Sequence, residues 1–117
     1  MNTAPVTVDD ALDTLEASLD SDFLKALCEP GRVQIVKILI RQGACDVNQI
    51  AAHLPQERSV ISRHLKVLTR AGLVQVERVG RHRVHRLVPS TFIGRMEEIL
   101  ASTRRCIALC CPPETNA

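Results

Sequence analysis

The sequence predicts a mainly α chain with one β-hairpin placed before its last helix, an α+β fold. Three observations carry this expectation. Apolar residues recur at three- and four-residue steps along most of the 117 residues, the period of amphipathic helices. Near Gly80 the pattern changes to two β-prone runs that face each other across a turn, as in a hairpin. Just before that hairpin, two helical segments meet at Pro55 with almost no linker, so they fold as a pair.

Taken in order, Thr7-Val8-Asp9-Asp10 reads as a helix start, with a hydroxyl cap and acids at the positive end of the helix dipole. Leu12, Leu15, Leu19, Phe23, Leu24 and Leu27 follow at helical spacing, a seam that packs on a core or on a partner chain. Asp20-Ser21-Asp22 is a place for that helix to break and restart. Pro30 suits the first turn of the next helix. Val33, Ile35, Val36, Ile38, Leu39 and Ile40 make it the most buried one, and Gly43 closes it. Asp46-Val47-Asn48-Gln49 resembles a capping box and opens a short helix through Ile50, Ala51 and Leu54 that Pro55 ends. A helix over 57–71 comes next, with Val60 or Ile61, Leu65 and Leu68 on its apolar stripe, and Ala71-Gly72 stops it. Strands are expected over 73–78 and 81–88. Ser90 or Thr91 caps a last helix carrying Phe92, Ile93, Met96, Ile99 and Leu100 on one side, and Pro112-Pro113 stop it. The whole reads as a winged helix-turn-helix over 1–111, with 112–117 a flexible tail.

Composition narrows the function. The only aromatics are Phe23 and Phe92, so the core is aliphatic and no ring platform exists for stacking single-stranded bases. A formal net charge of +2 implies little by itself, but acids crowd 9–29 while 58–86 is rich in Arg, Lys and His. The N-terminus is polar and acidic, unlike a secretory signal, and no apolar run reaches membrane-spanning length. A cytoplasmic protein without a membrane partner is the default expectation. Five cysteines, an odd number, argue against a disulfide framework and for metal binding, thiol chemistry or burial.

On the helix over 57–71, Arg58, Ser59, Ser62, Arg63 and Lys66 lie mostly off the apolar stripe, with His64 at its margin. Forked donors, short hydroxyls and a point charge are the groups that meet base edges and phosphates in a major groove. Alone, that face reads as the solvated side of an ordinary helix. The basic hairpin after it, with Arg78, Arg81, His82 and Arg83, turns the reading toward double-stranded DNA.

Several blocks resemble the arsenic-repressor (ArsR/SmtB) family of winged-helix transcriptional regulators. They are Leu24-Lys25-Ala26-Leu27-Cys28-Glu29-Pro30-Gly31-Arg32, Ile50-Ala51-Ala52-His53-Leu54, and Ile61-Ser62-Arg63-His64-Leu65-Lys66-Val67-Leu68. Ala71-Gly72-Leu73-Val74, Gly80-Arg81 and Arg86-Leu87 complete a match over about 22–88. The resemblance implies a homodimer joined by the first and last helices, with residues 57–71 in the major groove of operator DNA and the hairpin over the adjacent backbone or minor groove. It implies a repressor that an inducer releases. This chain departs from the family pattern at Pro55, Glu57 and Arg58, so base preference does not transfer.

The family's sensing sites can be checked one by one. A Cys-x-Cys pair before the recognition helix is replaced by Asp46 and Asn48, and residues 1–21 hold no cysteine. Val88-Pro89-Ser90-Thr91 and Arg104-Arg105 lack the Asp, His and Glu set of the family's last-helix zinc or cobalt site. What stands out is Cys106-Ile107-Ala108-Leu109-Cys110-Cys111. Cys106 and Cys110 share a helix face about 5–6 Å apart at Cβ, and Pro112 frees Cys111 to close a triangle. Thiolates select soft acceptors such as As(III) or Sb(III) over hard ions. The expected metal site is therefore Cys106, Cys110 and Cys111, against plain burial of small residues in an interface. Cys28 and Cys45 are read as simple burial or idle exposure.

The alternative within the same fold is a thiol-based redox or reactive-sulfur sensor that links Cys106 to Cys110 or Cys111. A thiol enzyme or metal carrier finds no support, since no Cys-x-x-Cys, nucleotide loop or Ser/His/Asp constellation is present, and no catalytic residue or catalytic cofactor is expected. A protein-binding adaptor would not need the basic wing.

Overall fold

The structure, a computed structural model, describes residues 7–110, so the expectations for Cys111 and the tail 112–117 lie outside the described residues. Its elements run α1 (Val8–Leu19), α2 (Asp22–Leu27), α3 (Pro30–Gln42), α4 (Val47–Ala51), α5 (Arg58–Arg70), β1 (Val74–Val79), β2 (His82–Leu87) and α6 (Pro89–Cys110). They group into two compact units, Asp22–Phe92 and a second built from the described residues 7–21 and 93–110.

The central unit holds the aliphatic core. Ile35, Ile50, Ile61, Leu68 and Leu73 are its largest fully buried side chains. Each contributes roughly 1.5–3 kcal/mol relative to exposure. Ile61, not Val60, joins Leu65 and Leu68 on the buried stripe of α5. The two phenylalanines meet edge to face with ring centroids 5.7 Å apart, a favoured aromatic geometry. α3 is buried on one face only: Ile35, Val36 and Leu39 point inward, whereas Val33 and Ile40 are exposed, so it is less enclosed than its apolar content predicts.

Local chemistry sets most boundaries. The Asp46 side chain accepts from the Gln49 N–H and the Gln49 side chain accepts from the Asp46 N–H, both at 2.8 Å. This box starts α4 where the sequence places it. The end of α4 differs, because the helix stops at Ala51 and Leu54 is not part of it. His53 N–H donates to the Ile50 carbonyl and Leu54 N–H to the Ala51 carbonyl. These i to i−3 bonds tighten the chain ahead of Pro55, which disfavours α geometry at Leu54. Gly43 and Gly72 both have φ of +79°, the left-handed region where a side chain is strained.

The hairpin is antiparallel, from Val74 opposite Leu87 to Val79 opposite His82. Gly80-Arg81 is left as the turn, and Gly80 has φ of +62°, which suits a two-residue hairpin loop. The first strand is shifted by one residue from the expected 73–78 and the second is one residue shorter at each end than 81–88, with Leu73 accepting from the Val88 N–H at 2.8 Å. Cys45 and His85 exchange backbone hydrogen bonds of 2.9 and 2.7 Å, tying the turn before α4 to β2. α6 starts at Pro89 rather than after a Ser90 or Thr91 cap. Phe92 N–H donates to the Val88 carbonyl, so Pro89 occupies the first helical position, where its missing N–H costs nothing.

In the second unit, Thr7 and Asp10 form a capping box that opens α1, as expected. Ala11 and Cys106 are buried there, and the Cys106 thiol donates to the Ala11 carbonyl at 3.2 Å. Leu12, Leu19, Ile93, Met96, Leu100, Ile107 and Leu109 remain between 44% and 57% exposed. Among the described residues, no helix is long and apolar enough to cross a membrane.

Candidate nucleic-acid interface

α5 presents Arg58, Ser59, Ser62, Arg63 and Lys66 at the spacing of one helical face. All are exposed except the half-buried Ser62. Glu57 is the N-cap residue, but its side chain makes no cap bond, so it does not close the first-turn N–H groups against an anion. On the hairpin Arg78, Arg81, His82 and Arg83 are exposed. Among the described residues, Arg58, Arg63, Lys66, Arg78, Arg81 and Arg83 make no ion pair. Cations kept free of carboxylates release condensed counterions in full when they meet a phosphate backbone.

Two hairpin side chains are engaged. Arg86 pairs with Glu77 across the strands at 3.2 Å, and His82 Nδ1 lies 3.5 Å from Asp46 Oδ2. Exposed pairs of this kind are worth at most about 1 kcal/mol. His82 thus sits at the base of α4 as well as in the basic hairpin.

His64 stands apart from the polar row of α5. Its Nδ1 faces Arg32 Nη1 at 3.4 Å and its Nε2 lies 3.1 Å from Glu29 Oε2. A guanidinium N–H can only donate, so Nδ1 is the acceptor in this contact. Arg32 also donates from Nε to the Ala26 carbonyl at 2.6 Å and from Nη2 to the Lys25 carbonyl at 3.2 Å. One side chain therefore caps the end of α2 and reaches α5. Space is tight here: a Cβ on Gly31 would stand 2.8 Å from Glu29 Oε2 and 2.9 Å from His64 Nε2. The structure accordingly gives His64 contacts that seat α5 on the start of α3, beside its place at the margin of the polar row. The sequence shows Glu29, Gly31 and Arg32 only as neighbours in one block, because spacing alone does not reveal a bond between residues 32 positions apart.

Cys106 and Cys110 both lie on α6, one buried and one exposed. Cys111 lies outside the described residues. Cys28 is exposed and Cys45 buried, matching their reading as idle or packed thiols. Burial and then the neighbouring Asp46 push the Cys45 thiol above its ordinary pKa, which keeps it protonated and unreactive. Among the described residues, no three His, Cys, Asp or Glu side chains gather closely enough to hold a metal ion.

Residues 29–76 match the family model described as bacterial regulatory protein, arsR family. The chain is 33% identical over 89 residues to the HTH-type transcriptional regulator NmtR of Mycobacterium tuberculosis, covering 76% of this chain and 73% of that protein. It is 30% identical over 84 residues to a transcriptional repressor SmtB homolog of Synechocystis sp., covering 72% of this chain and 63% of that protein. This chain thus spans less than two thirds of the Synechocystis protein's length. A crystal structure described as a possible transcriptional regulator for arsenical resistance is similar with a TM-score of 0.58 and 39% identity, covering 75% of this chain and 88% of that chain.

Proposed function

This chain belongs to the arsR family of bacterial regulatory proteins, and from that premise we propose that it is a repressor released from operator DNA by trivalent arsenic or antimony. It works as a homodimer joined by α1 and α6, within one functional domain over 1–111 and in the cytoplasm. α5 enters the major groove and the hairpin lies on the adjacent backbone. The observation that carries the DNA reading is the row of cations on α5 and the hairpin without carboxylate partners among the described residues. Paired dimer halves would set two α5 helices about one duplex turn, roughly 34 Å, apart.

For the inducer, support comes from thiols one helical turn apart on α6 and from the similarity to a regulator described as possibly serving arsenical resistance. Cys106, Cys110 and Cys111 are the proposed ligands. Binding deprotonates its thiols, so it removes the Cys106 S–H bond to the Ala11 carbonyl. The inducer thereby acts on the α1–α6 contact, at the elements proposed to join the dimer. A tenfold release needs about 1.4 kcal/mol of coupling.

The redox alternative draws on a specific observation too. Cys106 and Cys110 stand one helical turn apart on α6, and a pair of thiols is all that a linked oxidised form requires. Mass spectrometry after treatment with As(III), and separately with persulfide or peroxide, distinguishes the two readings.

Duplex binding is tested by salt titration. Arg63→Ala weakens binding by about 1–3 kcal/mol if it meets a base, and Arg81→Ala with Arg83→Ala lowers the salt slope by about one for each phosphate left unneutralised. Parent-like affinity at every salt concentration in all three variants would show that the groove assignment is wrong.

A further inference from the structure

A cavity of about 280 Å³ opens between α5 and the inner face of the hairpin. Its floor is apolar, from Leu65 and Val76, and its charged lining groups are Lys66, Arg70 and Arg83. No described carboxylate lines it, and none of the three cations makes an ion pair among the described residues. The imidazole of His85 also lines it, and this residue is 7% exposed. His85 Nδ1 is buried without a hydrogen-bond partner, an arrangement that ordinary folded interiors avoid. A cavity that combines unbalanced cations, apolar walls and an unsatisfied buried imidazole has the makings of a ligand site.

We propose that this crevice binds a small amphipathic carboxylate, with its anion on Lys66 and Arg83, its apolar body on Leu65 and Val76, and a hydroxyl or amine donating to His85. The volume lies just under the range of about 300–1,000 Å³ that accepts drug-sized ligands, so the ligand carries one ring or a short chain. Burial pulls the His85 pKa below its ordinary value, with Arg83 adding to the effect, against opposing contributions from the Cys45 backbone and Asp46. The ring is thus neutral near pH 7 and retains an accepting nitrogen. A bare phosphate group needs the cations but not the apolar floor, which is why an organic anion fits better than a stretch of nucleic-acid backbone.

This site does not depend on the cysteine cluster. It shares Ser62, Lys66 and Arg83 with the residues assigned to DNA, so ligand and duplex compete if that assignment holds.

Calorimetric titration of the full chain, without DNA, tests the site with three single-ring probes. 4-Hydroxybenzoate should bind saturably, one per chain. 4-Hydroxybenzyl alcohol, which lacks the charge, should bind about tenfold more weakly. 4-Methoxybenzoate, which lacks the donor, should fall between them. The double variant Lys66→Gln and Arg83→Gln should lose about tenfold for both carboxylates. His85→Phe should bind the two carboxylates equally; where that variant fails to fold, the probe series on the parent decides the donor's part. Equal binding of alcohol and carboxylate, an affinity the double variant leaves unchanged, or no saturation by any probe overturns the proposal. Intact ligand binding without competition against duplex leaves the site standing and tells against the placement of DNA on Lys66 and Arg83.

Discussion

The central unit and the α1–α6 unit use similar apolar content to opposite ends. In α5, the apolar stripe of Ile61, Leu65 and Leu68 is fully enclosed by its own chain. In α6, twenty-two residues long, Cys106 alone is buried, and in α1 only Ala11. Amphipathic periodicity shows which face of a helix must be covered, but not by what. Where the covering surface belongs to the same chain, the pattern predicts the core. Where it does not, the same pattern marks a surface for another chain, as a large exposed apolar patch usually does.

Paired substitutions sharpen that contrast. Leu68→Ala should cost about 2–5 kcal/mol in urea unfolding, because it opens a cavity in the enclosed core. Leu100→Glu, on a side chain 48% exposed, should change the stability of the central unit by less than about 0.5 kcal/mol. In sedimentation it should instead yield monomers that have lost tight duplex binding. A monomeric parent at micromolar concentration would remove the comparison's second half.

A smaller effect tests the seat of α5. Gly31→Ala inserts a methyl among Glu29 and His64 at under 3 Å, and should cost about 1–3 kcal/mol. Glu29 and His64 are both side chains, so Gly31→Ala combined with His64→Ala should recover much of that loss. No recovery would mean that the helix backbone, not the imidazole, resists the methyl.

The smallest effect is in pH. His85 is held below its ordinary pKa of 6.5 by burial, so the unfolded chain binds the proton more tightly than the folded one. The stability it carries is complete above the unfolded value and is lost as pH falls through 6.5 toward the folded value. Unfolding curves of the parent and His85→Phe between neutral and mildly acid pH should therefore converge as pH drops.

Much of the DNA-facing architecture was legible from the chain. Two capping boxes, Gly43, Gly72 and Gly80 fixed element ends by local chemistry, and a two-residue turn set the hairpin register. Features that depend on distant neighbours were not legible. The role of His64 against Arg32 and the buried His85 beside its crevice arise from residues brought together by folding, whereas the start of α6 at Pro89 is a local signal that the Ser90 and Thr91 hydroxyls mask. The same limit applies to α3, whose run of apolar residues does not say that Val33 and Ile40 face outward.

The most direct test of the proposed function is release of a fluorescent operator duplex, followed by anisotropy as As(III) is added. The parent should let go of the duplex by about tenfold or more in affinity. Cys106→Ser, Cys110→Ser and Cys111→Ser should each bind the duplex normally and hold it through the titration, whereas Cys28→Ser and Cys45→Ser should release it like the parent. Release that survives in the triple variant Cys106→Ser, Cys110→Ser and Cys111→Ser, or a parent that responds only to persulfide or peroxide, would contradict the account.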